Sequence, residues 1–129
     1  MGGYTALYLG LSNPDLFSRI GGHSSSIWDY TSSDMFIGQR DWLYATDELR
    51  KQRDPFRIVH HKDIEGIHVY LDVGSEDGLA GVNENLKGTL ESIDIPMEWH
   101  LNPGGHSMGY WTDHMEDYLL FYGGKDKSQ

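Results

Sequence analysis

The stretch that decides the fold is Gly104-Gly105-His106-Ser107-Met108-Gly109-Tyr110-Trp111, a glycine-rich turn that carries a histidine. An apolar run that alternates through Met97, Trp99 and Leu101 precedes the turn, and an amphipathic run that ends at Gly123-Gly124 follows it. The alternation predicts a strand with one solvated face, as at a sheet edge. The amphipathic run predicts a helix. A histidine on a turn between these two elements is well placed for chemistry, because loops on a rigid scaffold commonly carry functional side chains.

A second turn lies upstream and is rich in acids, Asp72-Val73-Gly74-Ser75-Glu76-Asp77-Gly78. It follows Ile67-His68-Val69-Tyr70-Leu71, whose β-branched and aromatic residues predict a strand that ends at Asp72. An acid after one strand and a histidine after the next form the second half of an acid–base–nucleophile relay. The two turns therefore fit a catalytic relay whose nucleophile lies elsewhere. They fit equally a plain turn acid at Asp77 and a solvated loop histidine at His106.

The remaining patterns predict helices and strands that alternate along the chain. They predict helices over residues 1–11, 55–61 and 82–93, a short strand over 17–23, and a last helix with Trp111, Met115, Tyr118, Leu119 and Tyr122 on one face. Val82, Leu86, Leu90 and Ile93 form one buried stripe of the helix before the last strand. This alternation predicts an α/β fold with a parallel sheet and flanking helices, and functional loops at the carboxyl ends of the strands.

Residues 24–54 are aromatic and have no clean period. They fit equally well a helical excursion packed on the core and a cap that walls a substrate pocket. Residues 125–129 form a polar tail.

Composition limits the kinds of partner that the chain can have. The 129 residues suit one domain, and a net charge of −10 disfavours nucleic acid and anionic membranes. The absence of cysteine excludes disulfides and thiolate metal sites. No apolar run approaches the ~18 residues of a membrane span, and no signal peptide is visible, so we expect a cytoplasmic location.

Six further histidines do not suggest a metal site. They are His23, His60, His61, His68, His100 and His114. A zinc site needs three or four ligands in fixed tetrahedral geometry, and no matching spacing is present. We therefore interpret these residues as surface or loop histidines.

Four segments together resemble one known family. Met1-Gly2-Gly3-Tyr4-Thr5-Ala6-Leu7 resembles the start of the helix after a nucleophile elbow, and Asn13-Pro14-Asp15-Leu16-Phe17 resembles the turn before the next strand. Gly74-Ser75-Glu76-Asp77 resembles the acid loop, and Pro103-Gly104-Gly105-His106 followed by Tyr110-Trp111 resembles the histidine loop. In this order the segments are similar to the C-terminal half of an α/β-hydrolase of the putative esterase family, which includes esterase D-like, feruloyl, acetyl-xylan and enterochelin esterases.

This resemblance implies a serine carboxylesterase that acts on a small-molecule ester and needs no cofactor or metal. Asp77 would be the acid of the triad, ranked above Asp72 and Glu76. His106 would be the general base, and in the complete enzyme the backbone N–H of Met1 would belong to the oxyanion hole.

The family's nucleophile serine would stand immediately before Met1, and the strands that lead to it are absent from the sequence. We therefore expect residues 1–129 to form a partial α/β-hydrolase domain of about three parallel strands, with a cap-like insertion at 24–54. The alternative is a catalytically inactive hydrolase-like polypeptide that acts only through association. Because the strand at 17–23 would lack a neighbour, we expect it to pair with a second copy or with the missing N-terminal part.

One pattern offers a competing nucleophile. Gly105-His106-Ser107-Met108-Gly109 fits the G-x-S-x-G signature of a hydrolase serine. A five-letter pattern is weak evidence, and Ser107 follows the last predicted strand. We therefore interpret Ser107 as the hydroxyl that caps the last helix.

Overall fold

The computed structural model describes residues 1–28, 42, 44–61 and 63–125. Much of the predicted cap-like insertion and all of the predicted tail except residue 125 lie outside these ranges. The helices are α1 (Gly2–Ser12), α2 (Asp47–Gln52), α3 (Pro55–His61), α4 (Ala80–Ser92), α5 (Met108–Asp113) and α6 (Met115–Tyr122), and the strands are β1 (Arg19–His23), β2 (His68–Gly74) and β3 (Met97–Asn102).

Within the described residues the sheet has three parallel strands in the order β1-β2-β3. The register places Asp72 of β2 between His23 of β1 and His100 of β3. Strand β2 is therefore central, and the carboxyl ends of all three strands lie at one end of the sheet. The prediction of an α/β fold with a parallel sheet is confirmed.

The two faces of the sheet carry different side chains, because successive residues of a strand point to opposite faces. Val69 and Leu71 of β2 belong to the main apolar core, which also contains Leu7 of α1 and Leu86 of α4. Tyr70 points the other way and packs with Tyr118 and Phe121 of α6. By the same alternation Asp72 lies on the α6 side of the sheet.

Local sequence explains where α2 and α3 begin. Asp54 accepts a hydrogen bond from the backbone N–H of Phe56 at 2.8 Å, and Pro55 occupies the first helical position of α3. Thr46 caps α2 in the same way, accepting from the N–H of Leu49. No described helix is long and apolar enough to cross a membrane.

Two expectations for the strands are wrong. Strand β2 continues past Asp72 to Gly74, so Asp72 lies inside the strand instead of ending it. Leu101 is 51% exposed although it alternates with Met97 and Trp99, which pack against the core. It lies near the end of an edge strand, where fewer neighbours are available to cover a side chain.

The expected single last helix is two helices that meet at His114, where φ is −103° and ψ is 5°. The break changes the phase of the buried face. Tyr110, Tyr118 and Phe121 are therefore buried, whereas Met115, Leu119 and Tyr122 are exposed by 44% or more. The helix end at the Gly123-Gly124 pair is confirmed.

Candidate active site

Asp77 and His106 meet at the carboxyl end of the sheet. The His106 Nδ1 atom lies 2.9 Å from Asp77 Oδ2, within the range expected for an acid–histidine pair. The other oxygen of Asp77 accepts the backbone N–H of Leu79 at 2.9 Å, which fixes the carboxylate at the start of α4. The Asp77 side chain is 3% exposed, whereas half of the His106 side chain is exposed. The His106 ring is thus fixed by Asp77 on one side and accessible to solvent on the other.

Backbone contacts hold the two loops against each other. The N–H of Glu76 donates to the carbonyl oxygen of Gly104 at 2.9 Å, and the N–H of Ser75 donates to that of Asn102 at 2.8 Å. A Cβ on Gly74 would collide with the Gly104 carbonyl group, so the strand end must be a glycine for the loops to approach this closely. Gly104 itself has a φ of 123°, which disfavours any residue with a side chain.

Ser107 serves as a helix cap. Its Oγ atom accepts the backbone N–H of Tyr110 at 3.2 Å, and its φ of −149° and ψ of 155° are the extended values typical of that position. The interpretation of Ser107 as a cap is therefore confirmed.

The ring of Trp111 links His106 to the end of β1. It meets the His106 ring edge to face, with centroids 5.0 Å apart. Its Nε1 atom donates to the Oγ of Ser24, a residue with a left-handed φ of 51° immediately after β1. The next residue, Ser25, lies against the first turn of α1, because a Cβ at Gly3 would collide with its Oγ. The start of α1 therefore lies at the same end of the sheet as His106.

Met1 stands at the N-cap of α1, where its carbonyl oxygen accepts the backbone N–H of Thr5 at 2.9 Å. The expected role of its N–H in an oxyanion hole stays a prediction.

A second acid–histidine pair was not singled out by the sequence. The Asp72 side chain is fully buried, and its Oδ1 atom lies 2.6 Å from Nδ1 of His23. Its Oδ2 atom accepts from the hydroxyls of Tyr110 at 2.9 Å and Tyr118 at 2.7 Å. The Nε2 atom of His23 lies 2.9 Å from the hydroxyl of Tyr122. We call His23, Asp72, Tyr110, Tyr118 and Tyr122 the Asp72 cluster.

Burial and the nearby carboxylate keep the cluster tyrosines protonated. Burial, followed by the hydrogen bond to Asp72, raises the pKa of Tyr118 well above its usual value. Burial is also the main cause of the raised pKa of Tyr110, and the charge of Asp72 adds to it. Both hydroxyls can therefore donate hydrogen bonds to the Asp72 carboxylate, which is buried away from solvent.

The other histidines follow the prediction unevenly. His60, His61 and His68 are exposed, as expected, and the described residues contain no group of three or more His, Cys, Asp or Glu suited to a metal ion. The expected surface or loop position is wrong for His23, which lies on β1 with 22% of its side chain exposed. Its signal in the sequence was its place as the last residue of the strand predicted over 17–23.

A family model described as "Putative esterase" matches residues 1–122. The chain belongs to this family. No curated protein matches the sequence.

Solved structures of similar fold include three hydrolases. A ferulic acid esterase has a TM-score of 0.77 and 18% sequence identity, and the match covers 95% of this chain and 48% of the esterase. The S-formylglutathione hydrolase FrmB of Staphylococcus aureus has a TM-score of 0.74 and 20% sequence identity, and the match covers 95% of this chain and 51% of FrmB. FphF, a fluorophosphonate-binding serine hydrolase of Staphylococcus aureus, has a TM-score of 0.65 and 20% sequence identity, and the match covers 94% of this chain and 50% of FphF. The esterase-family chain therefore has part of an α/β-hydrolase fold and spans about half the length of these structures.

Proposed function

We propose that the chain carries the acid and the base of a serine carboxylesterase, with Asp77 as the acid and His106 as the base. The observation that carries this proposal is the 2.9 Å contact between Asp77 Oδ2 and His106 Nδ1, made by the loops that follow two adjacent parallel strands. Membership of the esterase family, and neighbours that include an esterase and a serine hydrolase, support an ester as the substrate.

The geometry suits the proton transfers of this reaction. When Asp77 accepts the Nδ1 proton of His106, the Nε2 atom is left unprotonated and can take a proton from a serine hydroxyl. The serine oxygen then attacks the ester carbonyl, and the imidazolium returns the proton to the departing alcohol. The same nitrogen then takes a proton from water, whose oxygen attacks the acyl-serine carbonyl, and returns that proton to the serine oxygen as the carboxylic acid leaves.

The nucleophile would be a serine immediately before Met1. Support comes from the contacts that bring the start of α1, Ser24 and Trp111 to the end of the sheet that carries His106. With a residue before it, Met1 would have an amide N–H at the start of α1, where a developing oxyanion is favoured by the helix dipole.

The test uses the reading frame upstream of Met1. We expect an in-frame Gly-x-Ser there, and we expect the extended protein to hydrolyse p-nitrophenyl acetate. Replacing the upstream serine by Ala, or His106 by Ala, should each lower kcat about 10⁴-fold or more. Activity that survives the His106→Ala change, in an extended protein that remains folded, would contradict the proposal.

The open edge of β1 is the proposed contact with the rest of the active assembly. Among the described strands, β1 pairs on one side only, with β2. An apolar groove of about 260 Å³ runs beside it, lined by Ala6, Leu9, Gly10, Phe17, Arg19, Ile20, Gly21 and Tyr122. Leu9 and Phe17 are 47% and 43% exposed. An unpaired strand flanked by apolar side chains favours addition of another strand.

We propose that the partner strand comes from an N-terminal hydrolase segment, since similar structures are about twice as long as this chain. A second copy of the chain is the other occupant, and it would fit the alternative function of an inactive polypeptide that acts by association. The upstream reading frame distinguishes the two, because strands encoded in frame before Met1 would supply the partner strand and their absence would leave only a second copy.

A further inference from the structure

We propose that Tyr110, anchored by Asp72, is a positioning residue that holds the loop of the proposed catalytic histidine. The importance for catalysis rests on the function proposed above. The structural claim, that Tyr110 fixes the place of the His106 ring, can be tested without any catalysis.

Tyr110 closes the loop that carries His106. The loop leaves β3 at Asn102 and enters α5 at Met108. The Nδ2 atom of Asn102 donates to the Tyr110 hydroxyl at 3.2 Å, so one hydrogen bond joins the chain before the loop to the chain after it. The Tyr110 ring also covers Gly104 inside the loop, since a Cβ there would lie 3.2 Å from its Cδ2 atom.

Asp72 supplies a fixed point for this closure. It lies on the central strand, paired on both sides, and its Oδ2 atom accepts the Tyr110 hydroxyl at 2.9 Å. Its Oδ1 atom is held by His23 and its Oδ2 atom also by Tyr118. The carboxylate cannot turn away from Tyr110 without breaking these other bonds to a fully buried charge, which is costly.

The closure reaches the His106 ring through the next residue of α5. Trp111 follows Tyr110 directly and presents its ring to His106 at 5.0 Å between centroids. If α5 shifted, Trp111 would move away from His106, and the loop backbone that sets the distance to Asp77 would move with it.

Tyr118 provides a matched control for this proposal. Its hydroxyl donates to the same Asp72 oxygen, at 2.7 Å, and its side chain is buried to the same extent as that of Tyr110. It lies on α6, however, and its ring packs on His23 and Tyr70 instead of on the histidine loop. Removing either hydroxyl costs one bond to the same buried carboxylate, but only removal of the Tyr110 hydroxyl also breaks the bond from Asn102 that closes the loop.

The experiment compares Tyr110→Phe with Tyr118→Phe in the full chain, labelled with ¹⁵N-histidine. The readout is the exchange rate of the His106 Nδ1 proton, whose signal is assigned by its absence in His106→Ala. We expect both variants to lose thermal stability, Tyr110→Phe by more because it also loses the hydrogen bond from Asn102. Only Tyr110→Phe should speed exchange of the His106 proton, by about tenfold or more, because only its loop opens.

Equal exchange rates in the two variants, or no change in Tyr110→Phe, would overturn the proposal. If Tyr110→Phe does not fold, the His106 exchange rate is measured in Asn102→Ala instead, because that change removes the donor of the same hydrogen bond. An unchanged His106 proton in that variant would also overturn the proposal. Neither result depends on the nucleophile, so a failure here is distinct from a failure of the proposed esterase activity.

Discussion

The close approach of the acid and histidine loops predicts the effect of one methyl group. In Gly74→Ala the new Cβ would lie 2.6 Å from the carbonyl carbon of Gly104 and 3.0 Å from the amide nitrogen of Gly105. Ordinary contact between such atoms needs about 3.5 Å, so the loops must separate by about 1 Å. Both obstacles are backbone atoms, and neither can rotate out of the way.

The size of the effect follows from this geometry. Overpacking of this kind typically costs about 1–3 kcal/mol, which corresponds to a fall in Tm of roughly 5–15 °C for a domain of this length. The same separation would lengthen the 2.9 Å contact between Asp77 and His106 beyond hydrogen-bonding distance. In an enzyme completed by a nucleophile, a misplacement of about 1 Å would lower kcat about 10²-fold.

The assay pairs thermal unfolding with the NMR signal of the His106 Nδ1 proton. Gly78→Ala is the matched control in the same loop, because a Cβ there meets nothing within 4 Å. We expect the control to stay within about 1 kcal/mol of the parent and to keep its His106 signal. If Gly74→Ala unfolds at the same temperature as Gly78→Ala and keeps the His106 proton signal, the inferred steric contact does not govern the site.

Three further predictions concern activity, assembly and alkaline stability. The 129-residue chain alone should not hydrolyse p-nitrophenyl acetate above a His106→Ala control, and turnover that vanished in both that variant and Ser107→Ala would restore Ser107 as nucleophile. Light scattering on the purified chain should show association through the open β1 edge, and a monodisperse, cooperatively folding monomer at micromolar concentration would refute it. Burial raises the pKa of Tyr4, Tyr70, Tyr110 and Tyr118, so the folded state keeps protons that the unfolded state loses above about pH 10. Stability should therefore be intact below that pH and fall by about 1.4 kcal/mol per tyrosine per pH unit above it, and urea midpoints that stay constant from pH 9 to 11 would contradict this.

Local patterns were sufficient for the sheet, whereas the choice of Asp77 and His106 as the candidate pair also needed the resemblance to the putative esterase family. The alternation at Met97 and Trp99, the apolar run at Ile67 and the glycine-rich turn at His106 each depend on neighbours in sequence, and each predicted element is present. The proximity of Asp77 and His106 agrees with a general property of parallel sheets, whose carboxyl ends share one edge. The catalytic role of the pair stays a prediction.

The Asp72 cluster could not be predicted in this way. Its members come from β1, β2, α5 and α6, and their contacts span between 38 and 99 positions of the chain. A period of 3.6 residues continued through His114 would put Tyr118 on one face with Trp111, whereas the break at His114 brings Tyr118 and Tyr110 to one oxygen. The helix break orients both hydroxyls toward the Asp72 carboxylate, and this contact exists only in the tertiary structure.

The shared carboxylate of Asp72 also couples the C-terminal helices to the sheet during unfolding. C-terminal helices usually fray independently, and their amide protons exchange with low protection. Here, detachment of α5 and α6 would strip two donors from a fully buried charge in the central strand. Local opening would therefore cost nearly as much as global unfolding, and the amides of α6 should exchange as slowly as those of β2. The last helices and the sheet then behave as one cooperative unit.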